Sequence, residues 1–155
     1  MKYAITYLLL FPALCFGLPR DMVHPLGTAN VSSGFGTRFH PVMQSMRHHD
    51  GIDLPCPMRT PVRSLAKGTV IRVGTDSGYG KFVIVFHGAG WSSVYAHLSA
   101  QNVEVGRRLK AGEILGLAGA TGRVTGPHLH FELRRDGVAV DPLTTLPFLT
   151  ANVNG

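Results

Sequence analysis

The chain has 155 residues, a length that fits one domain able to bury its own hydrophobic core. Hydrophobic residues make up 45% and charged residues only 15%, which excludes a disordered chain and argues against charge-rich coiled coils. Gly (19) and Pro (10) are frequent, which predicts many turns. The eight histidines and the net charge of +6 need an explanation.

Residues 1–17 are predicted to form an export signal. Lys2 precedes an apolar stretch at 4–16, and Gly17 is a small residue suited to a cleavage position. The stretch is shorter than the about 20 residues that a membrane-spanning helix needs, so we expect no stable membrane anchor. Lipidation of Cys15 fits poorly, because Leu14 stands where such signals have a small residue. We therefore expect an exported protein, periplasmic or secreted.

The mature chain is predicted to be one all-β domain of mostly antiparallel sheet at 31–142. An irregular lead-in at 18–30 precedes the domain, and a C-terminal tail at 143–155 follows it. Runs rich in β-branched and aromatic residues alternate with turns that contain Gly, and predict strands at 69–73, 82–87, 91–96, 113–117, 129–133 and 138–140. The pair Asp136–Gly137 predicts a tight hairpin, because both turn positions need positive φ.

Two segments carry residues suited to a metal site. His128 and His130 begin a predicted strand, where residues two apart point to the same face. Glu132 shares that face and is a candidate hydrogen-bond partner for a ligating histidine. His49 and Asp53 are four residues apart, on one face of their segment, and both residue types are good Zn²⁺ ligands.

His49, Asp53 and one of the two later histidines give three protein ligands. Catalytic zinc sites leave one tetrahedral position open for water, whereas structural sites close it with a fourth ligand, usually Cys. Only Cys56 remains in the mature chain, where it is predicted to be a packed small hydrophobe, so a closed thiolate site is excluded. Water bound to such a zinc ion becomes a nucleophile near neutral pH.

His97 is a candidate for proton transfer at this site. It follows the aromatic strand at 91–96, and strand parity predicts that Tyr95 and His97 share a face. The pKa of free imidazole suits general acid–base catalysis at neutral pH. His97 and whichever of the later pair is free of metal provide two such groups.

The chain resembles the lysostaphin-type (LytM-domain) zinc endopeptidases, which cut the peptide part of bacterial cell walls. The resemblance covers residues 32–142 and rests on short stretches in the family's order. They are SGFGTRFHP (33–41), HDGID (49–53), TPV (60–62), GYG (78–80), YAHL (95–98), GATG (119–122) and TGPHLHFE (125–132). The resemblance implies a small antiparallel sheet with an open groove that holds one catalytic zinc ion.

The resemblance also assigns roles to individual residues. His49, Asp53 and His130 match the zinc ligands. His97 and His128 match the two active-site histidines that do not bind metal. Either of these two takes the proton from the zinc-bound water, and both stabilise the oxyanion.

Residues outside this set receive weaker assignments. Arg38 and His40 match a loop segment at the groove edge, with a substrate or supporting role or, alternatively, a purely structural one, and Tyr95 is grouped with them. His87 is interpreted as a turn residue, and His24 and His48 as surface residues.

The expected partner is peptidoglycan, cut in its stem peptides or cross-links. The basic residues are scattered along an exported chain, so no nucleic acid is expected, and attraction to an anionic wall explains the charge. The alternative is a catalytically inactive wall-binding or regulatory domain of the same fold, which would be expected to lack zinc ligands. We expect a monomer, and the sequence leaves room for a protein regulator or inhibitor. It does not distinguish a direct stem-to-stem cross-link from a glycine-type bridge.

Overall fold

The structure is a computed structural model that describes residues 17–40 and 44–149, without the side chains of His40 and Pro147. The predicted export signal lies outside the described residues except for Gly17, and so does the end of the predicted tail, residues 150–155. Within the described ranges, no helix has the length and hydrophobicity to cross a membrane.

The described residues form eleven strands and one short helix. The first strands are β1 (Gly36–His40), β2 (Ser45–His49), β3 (Ile52–Pro55), β4 (Pro61–Arg63) and β5 (Gly68–Asp76). The remaining strands are β6 (Gly80–Gly88), β7 (Trp91–Gln101), β8 (Arg108–Leu109), β9 (Ile114–Ala118), β10 (His128–Arg135) and β11 (Val138–Val140). Helix α1 spans Pro142–Thr145 and precedes a 3-10 turn at Pro147–Leu149. The all-β prediction is confirmed.

The longest strand, β7, organises a nine-stranded antiparallel sheet. Strand β6 lies along one edge of β7, and β10 and β9 follow one another along the other edge. Along its own far edge, β10 pairs first with β3 and then with β11. This order aligns Asp53, His130 and Ala96 across three neighbouring strands. Strands β1 and β2 form a separate two-stranded ribbon.

The predicted tight hairpin at Asp136–Gly137 is confirmed. Asp136 and Gly137 have φ of 49° and 83°, the left-handed values that a tight hairpin between β10 and β11 requires. Short Gly-containing connections also join β5 to β6 and β6 to β7. The ribbon of β1 and β2 was not predicted, and Arg38 and His40, expected in a loop, lie in β1. Most side chains of the ribbon strands β1 and β2 are exposed, so these strands lack the apolar alternation by which a strand is predicted from sequence.

The central strands β7 and β10 are buried along most of their length and build one core. Its largest fully buried side chains are Trp91, Tyr95, Phe131, Ile52, Leu54, Leu65, Leu98, Leu115, Leu129, Leu133, Leu146 and Leu149. Leu146 and Leu149 show that the described part of the predicted tail packs into the domain. Cys56 is partly buried against this core, as predicted for a small hydrophobe.

Two of the three histidines with minor assignments were interpreted wrongly. His24, expected at the surface, is buried, because the lead-in packs on the sheet and Val23 N–H donates to the Leu65 carbonyl at 2.8 Å. His87 is not in a turn: it lies in β6, where its ring nitrogens are 2.9 Å from the Lys67 carbonyl and 2.7 Å from Ser93 Oγ. His48 is at the surface as predicted, with a side chain 48% exposed.

Candidate active site

Three side chains from three strands converge on one point beside β10. Nε2 of His49 lies 3.1 Å from Oδ1 of Asp53 and 3.1 Å from Nδ1 of His130. Nδ1 of His130 lies 3.0 Å from the same Oδ1. Among the described residues, these three form a group of His, Cys, Asp or Glu side chains that could hold a metal ion. The structure therefore brings together the three residues predicted as ligands.

The backbone explains this convergence. Asp53 on β3 is directly opposite His130 on β10, so both side chains leave the sheet at the same level. Gly51 carries the chain from His49 at the end of β2 into β3, and a side chain there would collide with the Phe131 carbonyl oxygen. Only glycine lets the two segments approach so closely.

Each histidine of the site has one ring nitrogen in a hydrogen bond on the side of the ring away from the site. The other ring nitrogen of each histidine faces the site. Nδ1 of His49, His97 and His128 lies 2.7, 2.9 and 2.9 Å from the carbonyl oxygens of Gly34, Thr121 and Gly126. Nε2 of His130 lies 2.9 Å from Oε1 of Glu132. Carbonyl and carboxylate oxygens only accept, so each of these nitrogens donates its N–H. In the neutral rings the opposite nitrogen then carries a lone pair that faces the site.

The chemistry of the donor set fits a zinc ion. With these tautomers, the lone pairs of His49 Nε2 and His130 Nδ1 and the carboxylate oxygen of Asp53 face one another at about hydrogen-bond distance. These three electron-rich atoms repel one another unless a cation lies between them. Zinc prefers nitrogen and carboxylate donors of this kind. A proton on His130 relieves part of the repulsion. Burial lowers the pKa of His130, but its hydrogen bonds to Asp53 and Glu132 raise it to about 9.

The carboxyl of Asp53 is held in its charged form. Burial acts to raise its pKa, but the adjacent imidazoles of His130 and His49 outweigh burial and lower the pKa well below its usual range. Asp53 is therefore a carboxylate at neutral pH.

His97 reaches the site through a bulge in β7. The register between β6 and β7 shifts between Lys81 and Val83, and His97 has a φ of 62°. Its N–H donates to the Tyr79 carbonyl at 2.8 Å, which fixes this left-handed conformation. The ring centroid lies 4.8 Å from that of His128. Burial, then the neighbouring His128 and His130, lowers the pKa of His97 to about 4, so the ring is neutral at pH 7.

The same bulge overturns the expected placement of Tyr95. Strand parity predicted that Tyr95 shares a face with His97, but the bulge reverses the alternation between them. Tyr95 is fully buried in the core, where its hydroxyl accepts from Leu65 N at 2.7 Å and lies 2.8 Å from Ser93 Oγ. Burial raises its pKa to about 12. Tyr95 cannot contact a substrate in the groove.

A buried charged network lies behind His130. Glu132, which is fully buried, lies 2.5 Å from the Tyr79 hydroxyl and pairs with Arg134 at 2.6 Å. Arg134 also donates to the Tyr79 hydroxyl at 3.0 Å. Burial acts to raise the pKa of Glu132, but its hydrogen bonds to His130 and Tyr79 lower it. The sequence indicated Glu132 as a partner but not Tyr79 or Arg134.

Comparison with known proteins identifies the family of this site. The family model described as "Peptidase family M23" matches residues 47–142. The chain belongs to peptidase family M23. The predicted resemblance is thereby confirmed.

Curated relatives of this M23 domain have names that refer to peptidoglycan. "DD-carboxypeptidase/endopeptidase Mpg" of Neisseria meningitidis serogroup B is 43% identical over 122 residues, 79% of this chain and 28% of Mpg. "Peptidoglycan DD-endopeptidase ShyC" of Vibrio cholerae is 37% identical over 121 residues, 77% of this chain and 28% of ShyC. The M23 chain thus spans less than a third of the length of these relatives.

Solved structures share the fold. A zinc-containing peptidase from Vibrio cholerae superposes with a TM-score of 0.72 and 37% identity, over 79% of this chain and 38% of that one. The catalytic domain of lysostaphin from Staphylococcus simulans gives a TM-score of 0.69 and 32% identity, over 81% of this chain and 95% of that domain.

The M23 site opens into a groove of about 880 Å³. The groove is lined by Arg38, with Nη2 3.9 Å from Oδ2 of Asp53, and also by Arg47, Tyr79 and Arg123. The predicted position of Arg38 at the groove edge agrees with this arrangement. The side chain of His40 lies outside the described part of the structure.

Three of these groove residues, Tyr79, Arg47 and Arg123, were not among the predicted site residues. Tyr79 belongs to the GYG stretch at 78–80, to which no site role was assigned. No local sequence pattern marks Arg47 or Arg123, because the fold alone brings them together.

Proposed function

We propose that this M23 chain is a zinc-dependent endopeptidase that hydrolyses peptide bonds in the stem peptides or cross-links of bacterial peptidoglycan. The observation that carries the proposal is the convergence of His49 Nε2, Asp53 Oδ1 and His130 Nδ1 within about 3 Å of one another. Family membership supports the reaction type. The printed names of Mpg and ShyC support the substrate.

His49, Asp53 and His130 would hold the zinc ion, and the groove leaves access on their open side. When bound, zinc supplies Lewis-acid chemistry: it acidifies water and polarises a peptide carbonyl. Asp53 contributes a negative charge that offsets part of the charge of the metal. The outer hydrogen bonds to Gly34 and Glu132 hold both ligand rings in the required tautomer and orientation.

His97 and His128 would move protons. Each donates Nδ1–H to a backbone carbonyl, which leaves Nε2 free to accept the proton of the attacking water. Once protonated, the ring donates to the developing oxyanion or to the leaving amine. The low pKa of His97 keeps this ring neutral before reaction, as an acceptor must be.

We further propose that the chain acts outside the cytoplasm, after export by the segment at 1–17, in the periplasm or after secretion. Peptidoglycan as substrate supports this placement. A protein partner is compatible with the fold, since a chain of the SpoIIQ–SpoIIIAH pore-forming complex superposes with a TM-score of 0.70 and 28% identity. No observation favours the inactive alternative, because all three predicted ligands and both assisting histidines converge.

The experiment compares four purified proteins: the unaltered chain, Asp53→Ala, His128→Ala and Asp21→Ala. Asp21 is an exposed carboxylate of the lead-in and serves as the control. We expect Asp53→Ala to lose zinc. His128→Ala should keep zinc and lose about 10²–10⁴-fold in muropeptide release from isolated peptidoglycan. Failure of the zinc-loaded, unaltered chain to release any muropeptide would contradict the proposal.

A further inference from the structure

Two arginines face each other across the ribbon at the groove edge. Arg38 on β1 is directly opposite Arg47 on β2, and both are exposed and line the groove. Like charges in opposed positions destabilise an antiparallel pair, and an isolated two-stranded ribbon has little stability to offset that cost. An anion between the two guanidinium groups would turn the repulsion into attraction.

A third arginine extends this cationic lining. Arg123, also exposed, lines the groove from the loop before β10, and its backbone N–H donates to the Gly78 carbonyl at 3.0 Å. Among the described residues, neither Arg47 nor Arg123 has an acidic partner within ion-pair distance.

Most of the acidic residues of the groove are already engaged. Asp53 belongs to the metal group, and Glu132 is buried against His130, Tyr79 and Arg134. Oδ1 of Asp76 accepts from the backbone N–H groups of Gly78 and Tyr79 at 2.8 and 2.7 Å. Asp50, exposed and 3.7 Å from His48, is the remaining carboxylate of the groove, so the three arginines outnumber the groove carboxylates that no hydrogen bond engages among the described residues.

We propose that Arg38, Arg47 and Arg123 bind a free carboxylate of the substrate close to the scissile bond. The inference rests on the proposed endopeptidase function and narrows its substrate class. Arg38 lies 3.9 Å from Oδ2 of Asp53, so a carboxylate bound there is within one residue of the reacting carbonyl. The preferred bond is a direct cross-link or terminal bond whose leaving amino acid keeps a free carboxylate, and not a neutral glycine-type bridge.

The physical basis is the geometry of arginine. A guanidinium group binds a carboxylate through two parallel N–H···O bonds, and a carboxamide offers only one acceptor atom and no charge. The groove is open to solvent, so salt weakens the attraction. We expect a free acid to be cleaved about 10- to 100-fold more efficiently than the matching amide, as judged by kcat/KM.

The test uses two stem peptides that end in D-Ala-D-Ala and differ only in a terminal carboxylate or carboxamide. The zinc-loaded full chain is compared with Arg47→Gln, Arg123→Gln and the control Arg108→Gln, an exposed arginine on β8 outside the groove. We expect the acid-to-amide ratio of kcat/KM to fall toward unity in the two groove variants. The Arg108 variant should keep the ratio of the unaltered chain.

The outcomes separate the two proposals. Equal cleavage of both peptides by the unaltered chain, or a ratio unchanged in the groove variants, overturns the carboxylate inference and leaves the endopeptidase function intact. If neither peptide nor a cross-linked peptide dimer is cut by the zinc-loaded chain, the endopeptidase function fails and the inference fails with it.

Discussion

Nε2 of His130 lies 2.9 Å from Oε1 of Glu132, a carboxylate without exposed surface in the middle of β10. The two residues are two positions apart on the strand, so the sheet itself sets their approach. Tyr79 and Arg134 occupy the remaining acceptor positions of Glu132, which is why the charge is tolerated in the interior. The arrangement fixes the ring that presents Nδ1 to the metal position.

We predict that Glu132→Gln weakens zinc binding about 10- to 100-fold, because an amide holds the His130 ring less firmly and makes its nitrogen less basic. Competition with a chromogenic chelator measures the affinity. The control is Glu113→Gln, which removes a carboxylate of a surface ion pair with Arg107. Equal zinc affinity in the Glu132 variant and the unaltered chain would show that the contact does not position His130.

Gly80→Ala should destabilise the fold by at least about 2 kcal/mol, since φ at this position is 62° and a Cβ would collide with the Thr121 carbonyl carbon. The Thr121 carbonyl also accepts the hydrogen bond from His97 Nδ1, so a shift of Thr121 would displace the His97 ring. Activity should therefore fall by more than the fraction of folded protein does. Denaturant unfolding gives the free energy. Gly34→Ala, at a position with open space and no left-handed φ, is the control for the unfolding free energy.

Tyr95→Phe tests the corrected position of this tyrosine. Loss of the hydroxyl leaves the buried Leu65 N–H without its acceptor, at a cost of about 1–3 kcal/mol in unfolding free energy. Because Tyr95 does not reach the groove, we expect kcat/KM of the zinc-loaded protein to stay unchanged below the melting temperature. A selective loss of kcat/KM with normal stability would return Tyr95 to the active site.

Acid should destabilise the fold through buried histidines outside the site. Burial lowers the pKa of His24, whose Nδ1 accepts from Leu26 N at 3.1 Å and whose Nε2 is buried without a partner among the described residues. Below its unfolded pKa, about 6.5, the unfolded chain binds more protons at His24 than the folded chain. Stability from this residue is therefore complete above that pH and lost as pH falls toward the folded pKa.

The measurement is unfolding free energy against pH in chelator-treated protein. His24→Asn keeps an acceptor for Leu26 N–H but does not titrate, so its curve should fall less steeply below pH about 6.5 than that of the unaltered chain. His48→Asn, at an exposed position, should follow the unaltered curve. Parallel curves for His24→Asn and the unaltered chain would show that His24 is not the cause.

The part of the site that could be predicted from sequence is the part in which residue type and strand parity both point to the same role. Strand parity correctly placed His128, His130 and Glu132 on one face, and the residue types of His49 and Asp53 indicated zinc. Parity failed at His97, because a bulge with positive φ leaves no sign in a run of ordinary strand residues.

Other features depend on tertiary contacts. The carbonyl groups of Gly34, Thr121 and Gly126 fix three histidine tautomers, yet every residue carries such a carbonyl and no pattern marks these three. The burial of His24 depends on how the lead-in packs on the sheet. The opposition of Arg38 and Arg47 appears only once the ribbon register is known.

The most direct test of the central claim is digestion of isolated peptidoglycan by the zinc-loaded protein in ¹⁸O-labelled water, followed by mass analysis of the products. Peptide hydrolysis predicts the label in the new carboxyl terminus of a stem peptide, with intact glycan strands and a matching new amine. Label at a sugar end, or products that appear equally with His128→Ala, would contradict the account.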